Sequence, residues 1–504
     1  MRAIQGLPEL VVTLGRRRLS AVELAAMTRI QVRSALAQPT QCQAVWRFDD
    51  VSGARRLEPA PGDCLRVEVA GHRTPLFVGE VTVIEHGYSS GRLQEIRVRA
   101  YDALHRLRKR HHSRRHEAGD LAELAARLAA DTGLRVVGGG HRMGAVYQCA
   151  RSDLELLVDA SARLGLYPVV RESTLHLVGL DGEGEPLGLL LGSTLHSAEL
   201  EVSQEPSFRS AVVHAWNLDE AATVHGSAGS ERARAGVRAD PAPQGVGGGG
   251  LLQRANESFD DERLATELAQ ADLDVRLAAE VGGTLVAAGN PALQAGRRVQ
   301  LSGVARDFEG TYTICSAVHI LSGEGYETTL STLPPPSPRP RAADMTTLGV
   351  VCDTADPEQR ARVTVRLPAF ADLMTGWAPV LVLGAGAAKG SVILPDAGDT
   401  VLVLLVAGSP DEAVVLGGLF GAHQPPDADI PGERGKRYTM RTSDGQELVL
   451  NGTSHGLRLS DGRGSRVDMG PDLLQITAAT DLVLEAPGHA IRIRARSVDF
   501  EEAT

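Results

Sequence analysis

Toward the end of the chain, apolar residues fall in pairs two apart: Leu448 with Leu450, Leu457 with Leu459, Val467 with Met469, Leu474 with Ile476, Leu482 with Leu484, Ile491 with Ile493, and Val498 with Phe500. Between the pairs stand Asn451-Gly452, Asp461-Gly462, Gly464, Gly470-Pro471 and Pro487-Gly488. Spacing of two predicts short strands with one apolar face, and the residues between them are turn formers. One such ribbon is too narrow to cover its own apolar row. A single-chain solenoid closes each coil with about twenty residues or more, which this repeat does not supply. The pattern therefore predicts winding with identical copies into a stiff, needle-like β-prism, most simply a trimer.

Upstream the alternation is again that of strands. Leu10–Val12, Cys42–Trp46, Leu65–Val69, Phe77–Val81 and Ile96–Ala100 read as strands, with turns at Pro61-Gly62-Asp63 and Ser89-Ser90-Gly91. The pattern then changes to helical spacing. Asp120, with Glu123 three residues on, caps Leu121, Leu124, Ala125 and Leu128 before Gly133. Ser152 and Glu155 do the same for Leu157, Ala160 and Leu164 before Gly165. Strands resume at Tyr167–Val170 and Leu175–Val178, and a third helix is expected from near Ser258 through Leu264, Leu268, Ala271 and Val275. Residues 226–250, rich in Gly, Ala and Arg, read as a flexible loop. Pro334 to Pro340 holds five prolines in seven residues and reads as a stiff spacer. After it, Ala361–Leu367, Trp377–Leu383, Gly390–Leu394, Thr400–Val406 and Ala413–Phe420 suit a small barrel of the OB type.

Composition narrows the classes. A chain of 504 residues holds several domains. Its aromatic content of 4% suits many small β units better than one large core, and its net charge of −11 gives the whole surface no pull on nucleic acid. No run of eighteen apolar residues occurs, and no long apolar stretch opens the chain, so neither a membrane anchor nor secretory export is expected. Cys42, Cys64, Cys149, Cys315 and Cys352 are scattered and odd in number, which predicts no disulfide framework and synthesis in a reducing cytoplasm. Arginine far outnumbers lysine (only Lys109, Lys389 and Lys436), a mark of a GC-rich, bacterial genome.

Candidate chemistry is thin. Arg106 to His116 reads RLRKRHHSRRH; phosphate contact is one reading and a solvated or subunit-interface linker the favoured one. His111, His112 and His116 have no carboxylate or thiol companions for a metal site. Asp49, Asp50 and Glu58 sit by Arg55, Arg56 and turn residues, as at a polar hairpin tip rather than as glycosidase acids. Gly386 to Gly390 falls short of a phosphate loop and reads as a turn, and no Gly-x-Ser-x-Gly, HExxH or Walker motif occurs. Phe370, Trp377 and Phe420 make a sparse stacking platform for an oligonucleotide. No catalytic, cofactor or metal residue is assigned; the assigned residues are the fourteen apolar members of the C-terminal pairs.

Several segments in order resemble the hub–spike protein of contractile injection systems, the VgrG and phage-baseplate spike family. Tyr101-Asp102-Ala103-Leu104-His105-Arg106-Leu107, Ser152–Leu157 with Arg163–Leu166, and Gly289–Gly296 with Gly310–Ile314 and Ala317-Val318-His319 resemble its hub. Asp356-Pro357, Ala361–Pro368, Trp377–Val380, Gly398–Val403, Gly408-Ser409-Pro410 and Val415–Phe420 resemble its small barrel. The resemblance implies a mainly β chain: hub barrel 1 over 1–105, an α/β insert over 106–180, hub barrel 2 over 181–333, a linker over 334–345, an OB-fold neck over 346–421, a second linker over 422–437, and an intertwined triple-stranded β-helix over 438–504. It further implies a non-enzymatic homotrimer without cofactors that pierces an envelope under contraction force. Its implied partners are the inner tube or a hub adaptor, baseplate proteins, a PAAR-like tip and effector cargo. It would be made in a bacterial cytoplasm and built into a phage tail-like or type VI particle that may be released outside the cell. Neither a lysozyme-like insert nor a fused effector is expected. The rival expectations are a β-helical polysaccharide hydrolase and an OB-fold nucleic-acid-binding protein.

Overall fold

The computed structural model describes residues 8–48, 57–89, 94–117, 119–217, 222–240, 250–257, 261–336, 344–387, 389–421, 423–426 and 436–501. The chain divides into two units, Met1–Gly417 and Gly418–Thr504. Both are dominated by strands. Among the described residues no helix is long and apolar enough to cross a membrane.

The first unit is built on an eleven-stranded sheet, ordered Leu195–Val202, Val281–Ala288, Gly325–Ser331, Ser316–Ser322, Met27–Ala35, Gln41–Phe48, Gln94–Tyr101, Phe77–Tyr88, Cys64–Val69, Leu10–Leu14 and Arg17–Arg18. One sheet runs through the segments expected to form the two barrels, joined where Val318 faces Arg33 and Ile320 faces Gln31 across an antiparallel pair. Two cores remain distinct: one around Ile30, Trp46, Leu65 and Ile96, the other around Leu195, Leu285, Val299 and Ile314. The joining strand Met27–Ala35 went unread. Its signal is ordinary alternation, with Ile30 and Val32 buried and Arg29 and Arg33 exposed, but with only two large apolar residues between Arg29, Gln31 and Arg33 the two-residue period is short.

The insert follows its caps. Asp120 and Ser152 each close a capping box on helices Leu121–Ala129 and Asp153–Arg163. Gly133 and Gly165 follow with left-handed backbone, φ +76 and +69, which glycine adopts without a Cβ penalty. The motif at 101–107 is structural. Asp102 accepts from Thr40 N at 2.7 Å and Leu104 N at 3.0 Å, and burial pushes its carboxyl up to about 7. Leu104 and Leu107 are fully buried. The basic run is not a linker: it forms a 3-10 helix, Ala103–Lys109, and a strand, His111–His116, paired with Val146–Ser152.

The third helix, Glu262–Ala278, starts from Asp261 rather than near Ser258; the Asp261 carboxylate accepts from Arg263 N at 2.8 Å. The segment 226–250 departs from the flexible reading where it is described. Gly226 to Ala228 finish a strand, and Ala233 is buried. Arg234 pairs with Glu280, a fully buried carboxylate that also takes Arg209 at 2.5 Å and the Ser207 hydroxyl at 2.7 Å. Arginines written into a glycine-rich stretch look solvated in sequence; here a buried acid draws them in. Residues 241–249 lie outside the described residues.

The small barrel orders its strands Leu373–Met374, Arg362–Leu367, Met345–Asp353, Thr400–Leu405 and Ala413–Leu419 around Val351, Val363, Val365, Val401, Val403 and Val415. Asp356, at its opening, takes two bonds from the Arg362 guanidinium at 3.0 and 2.8 Å, which hold its carboxyl well below the usual range. The expected strands over 377–383 and 390–394 shrink to Ala378–Pro379 and Lys389–Gly390. Their apolar residues explain this, for Leu381 and Leu383 face solvent and not the core.

Glu280 is a fully buried carboxylate shared by part-exposed Arg209 and Arg234, so Glu280→Ala should cost the first unit about 1–3 kcal/mol, read as a fall in its urea midpoint; an unchanged midpoint would contradict the network. His319 gives a second expectation. Buried whole, it donates from Nε2 to Leu293 O at 3.1 Å and accepts at Nδ1 from Tyr326 and Thr328 hydroxyls at 3.1 and 3.0 Å. Burial lowers its pKa to about 4. Below the ordinary histidine value of about 6.5 the unfolded chain takes a proton that the folded one refuses. Stability present above pH 6.5 should therefore fall as pH drops toward 4, by about 3 kcal/mol. His319→Gln should flatten that slope in urea titrations at stepped pH.

Candidate functional site

The assigned residues lie in the second unit. Five antiparallel strands, Arg437–Arg441, Glu447–Asn451, Gly456–Ser460, Arg466–Met469 and Leu474–Thr477, follow one another in a meander. Local turn chemistry makes them. Asn451 Oδ1 accepts from Thr453 N and Ser454 N at 3.0 and 3.2 Å. Asp461 Oδ1 accepts from Arg463 N and Ser465 N at 2.7 and 3.0 Å, ahead of Gly464 at φ +113.

Register then lines up the pairs. Leu450, Leu457, Met469 and Leu474 face one another in succession across the strands, and Leu448, Leu459, Val467 and Ile476 do likewise. Tyr438 opposite Leu450 and Met440 opposite Leu448 add a first rung to both rows. Sequence reading missed that rung, although Tyr438 and Met440 carry the same spacing of two. The alternate positions, Val449, Arg458, Asp468 and Gln475, belong to the other face. There Arg458 holds Asp468 at 2.7 Å and Arg466 holds it at 2.9 Å, drawing that carboxyl below its usual range.

The apolar face is uncovered. Leu474 and Ile476 are 59% and 54% exposed, and Tyr438, Met440, Leu459 and Met469 are exposed as well. Beyond Thr477 the expected strands are absent: Leu482, Leu484, Ile491, Ile493, Val498 and Phe500 are exposed and lie outside any strand, Phe500 being 91% exposed. A strand requires a neighbouring edge, and within one chain these pairs find none. The first unit has its own uncovered aliphatic group on the small barrel, in Leu348, Leu381, Leu383, Val392 and Ile393.

The chemistry-bearing candidates are not brought together. Asp49, Asp50, Arg55 and Arg56 lie outside the described residues, and Glu58 is exposed. His111 and His112 face solvent on their strand, while His116 is buried against Gln148 at 3.3 Å. Among the described residues, no three His, Cys, Asp or Glu side chains gather as metal ligands. Gly386 and Lys389 face each other in a tight antiparallel pair. Phe370 packs against the barrel core, Trp377 is half-buried and Phe420 is exposed.

Residues 347–420 match the family described as the type VI secretion system/phage-baseplate injector OB domain. Residues 50–323, just over half the chain, match the family described as the Alg8 N-terminal domain. No curated protein matches the chain in sequence. Among solved structures, the lidless PdpA-VgrG complex is similar with a TM-score of 0.54 at 9% identity, over 94% of this chain and 99% of that one. The half-lidded Francisella PdpA-VgrG complex gives 0.54 at 8% identity, over 93% and 88%. The E. coli c3393 protein, described as a component of the type VI secretion system with structural similarity to the T4 bacteriophage tail proteins gp27 and gp5, gives 0.51 at 13% identity, over 82% and 99%. At these identities the likeness is one of fold.

Proposed function

We propose that this chain, a VgrG-like baseplate hub–spike protein that also belongs to the family of the Alg8 N-terminal domain, works as one third of a homotrimeric spike. The observation that carries the reading is the pair of apolar rows on one exposed face of the C-terminal meander. Three copies turning that face inward about a common axis would bury both rows. The segments after Thr477 would then find strand edges on neighbouring copies. Backbone hydrogen bonds between chains and an apolar axis would make the product stiff.

In this reading the chain makes and breaks no bond. Contraction of a sheath drives an inner tube, the hub joins tube and baseplate, and the spike concentrates force on a small area of the target envelope. A PAAR-like protein would cap the tip, and effector cargo would ride with it. The chain would be made in a bacterial cytoplasm and assembled into a phage tail-like or type VI particle.

Native mass of the full chain should equal three times its 53.3 kDa. Leu474→Asp with Ile476→Asp would place six carboxylates on the axis, a cost several apolar contacts cannot meet, and should leave monomer with the first unit still folded. A double variant that stays a protease-resistant trimer would refute the axial core, and a wild-type chain that sediments as a folded monomer would refute the trimer.

A further inference from the structure

The insert meets the small barrel in two places: His111–His116 approaches Leu373–Met374, and Val146–Ser152 approaches the turn Pro410–Glu412. Tyr147, on the strand Val146–Ser152, donates its hydroxyl to Asp411 Oδ1 at 3.2 Å, across 264 positions of sequence. Arg115 is the register neighbour of Tyr147 on the adjoining strand. Its Nε stands 3.7 Å from the same carboxylate oxygen, and its guanidinium lies over the Tyr147 ring, 5.9 Å from the centroid. Glu117 grips Arg115 from behind at 2.6 Å and so aims it at the barrel. Asp411 belongs to the 3-10 turn Pro410–Glu412, anchored by buried Pro410.

Beside this contact the two bodies part. A cleft of about 530 Å³ opens between Ser113 and Arg115 on the insert and Asp372, Met374, Thr375 and Trp377 on the barrel. The apolar cores on either side are separate clusters. Among the described residues the shared Asp411 carboxylate supplies the polar link between barrel and insert at this point. Tyr147 is nearly buried, and burial pushes its hydroxyl pKa up, so it remains a donor.

We propose that Tyr147, Arg115 and Asp411 form a clasp that holds the small barrel to the insert, and that releasing it opens the cleft while both bodies stay folded. The clasp rests on contacts within one chain, so it stands or falls apart from the trimer. Its strength depends on one charged acceptor taking two donors, a hydroxyl bond and a part-exposed ion pair, the latter screened by salt.

Hydrogen exchange on the full-length protein tests it. Asp411→Asn should speed exchange at both lips of the cleft, His111–His116 and Leu373–Gly376, by at least about fivefold. Exchange in the barrel strand Thr400–Leu405 should stay as in the wild type. Tyr147→Phe should act in the same direction, and combining the two should add little to Asp411→Asn alone, because both remove one interaction. Raising salt from 0.05 to 1 M should mimic a part of the effect in the wild type only. Unchanged exchange at the lips in both single variants would overturn the clasp. So would faster exchange spread equally through Thr400–Leu405, which would mean that the barrel itself had loosened.

Discussion

The second unit is governed by a surface that one chain cannot hide. A meander of short strands has two faces. Here one face is laced with ion pairs and content in water, and the other carries two unbroken rows of Leu, Ile, Val, Met and Tyr. Burying a single large aliphatic side chain is worth about 1.5–3 kcal/mol. Rows left in water favour association through that transfer energy, of which only the surplus over rigid-body and ordering costs becomes affinity. A narrow ribbon folded on itself would have to bend its backbone bonds apart to cover both rows. Identical ribbons facing a common axis cover them with no change in register. That is why a trimeric reading follows from the ribbon and not from the hub.

The first unit behaves in the opposite way. Away from the small barrel's exposed aliphatic residues, most of its large apolar positions are spent inside the chain, and several of its buried polar groups find partners there. Asp102 is met by two backbone N–H groups, His319 by a carbonyl and two hydroxyls, and Glu280 by two arginines and a serine. Such nodes are costly to leave half-made, and each ties together segments far apart in sequence. A unit stabilised in this way can keep its shape as a single chain.

What could be read beforehand followed from locality. The capping boxes at Ser152 and Asp120 were legible because cap, helix and stop lie within a dozen residues. The apolar pairs were legible because a period of two survives in any context. Long-range effects were not. Met27–Ala35 escaped because Arg29, Gln31 and Arg33 look like a polar stretch until a neighbouring strand at Ser316–Ser322 gives it a place in a sheet. The arginines of 232–234 looked solvated because their acids, Asp274 and Glu280, are some forty residues away. The barrel strands over 377–394 were overread, since an apolar residue facing outward for assembly cannot be told in sequence from one facing a core. The same ambiguity covers Leu482 to Phe500, where the pairs are plain and the strands are missing from the lone chain.

The small barrel is the place where a nucleic-acid reading must be weighed, because barrels of this type so often carry oligonucleotides. Such binding asks for two things on one face, flat rings for bases to stack on and cations for phosphates. The barrel's exposed group offers Leu348, Leu381, Leu383, Val392 and Ile393, which supply neither. Its arginines are already engaged, Arg362 with Asp356 and Arg366 with Asp372. Branched aliphatic surface gains nothing from a phosphate backbone, whereas it gains its full transfer energy from another aliphatic surface. The aliphatic side chains that the barrel leaves uncovered are thus of the same chemical kind as those along the ribbon.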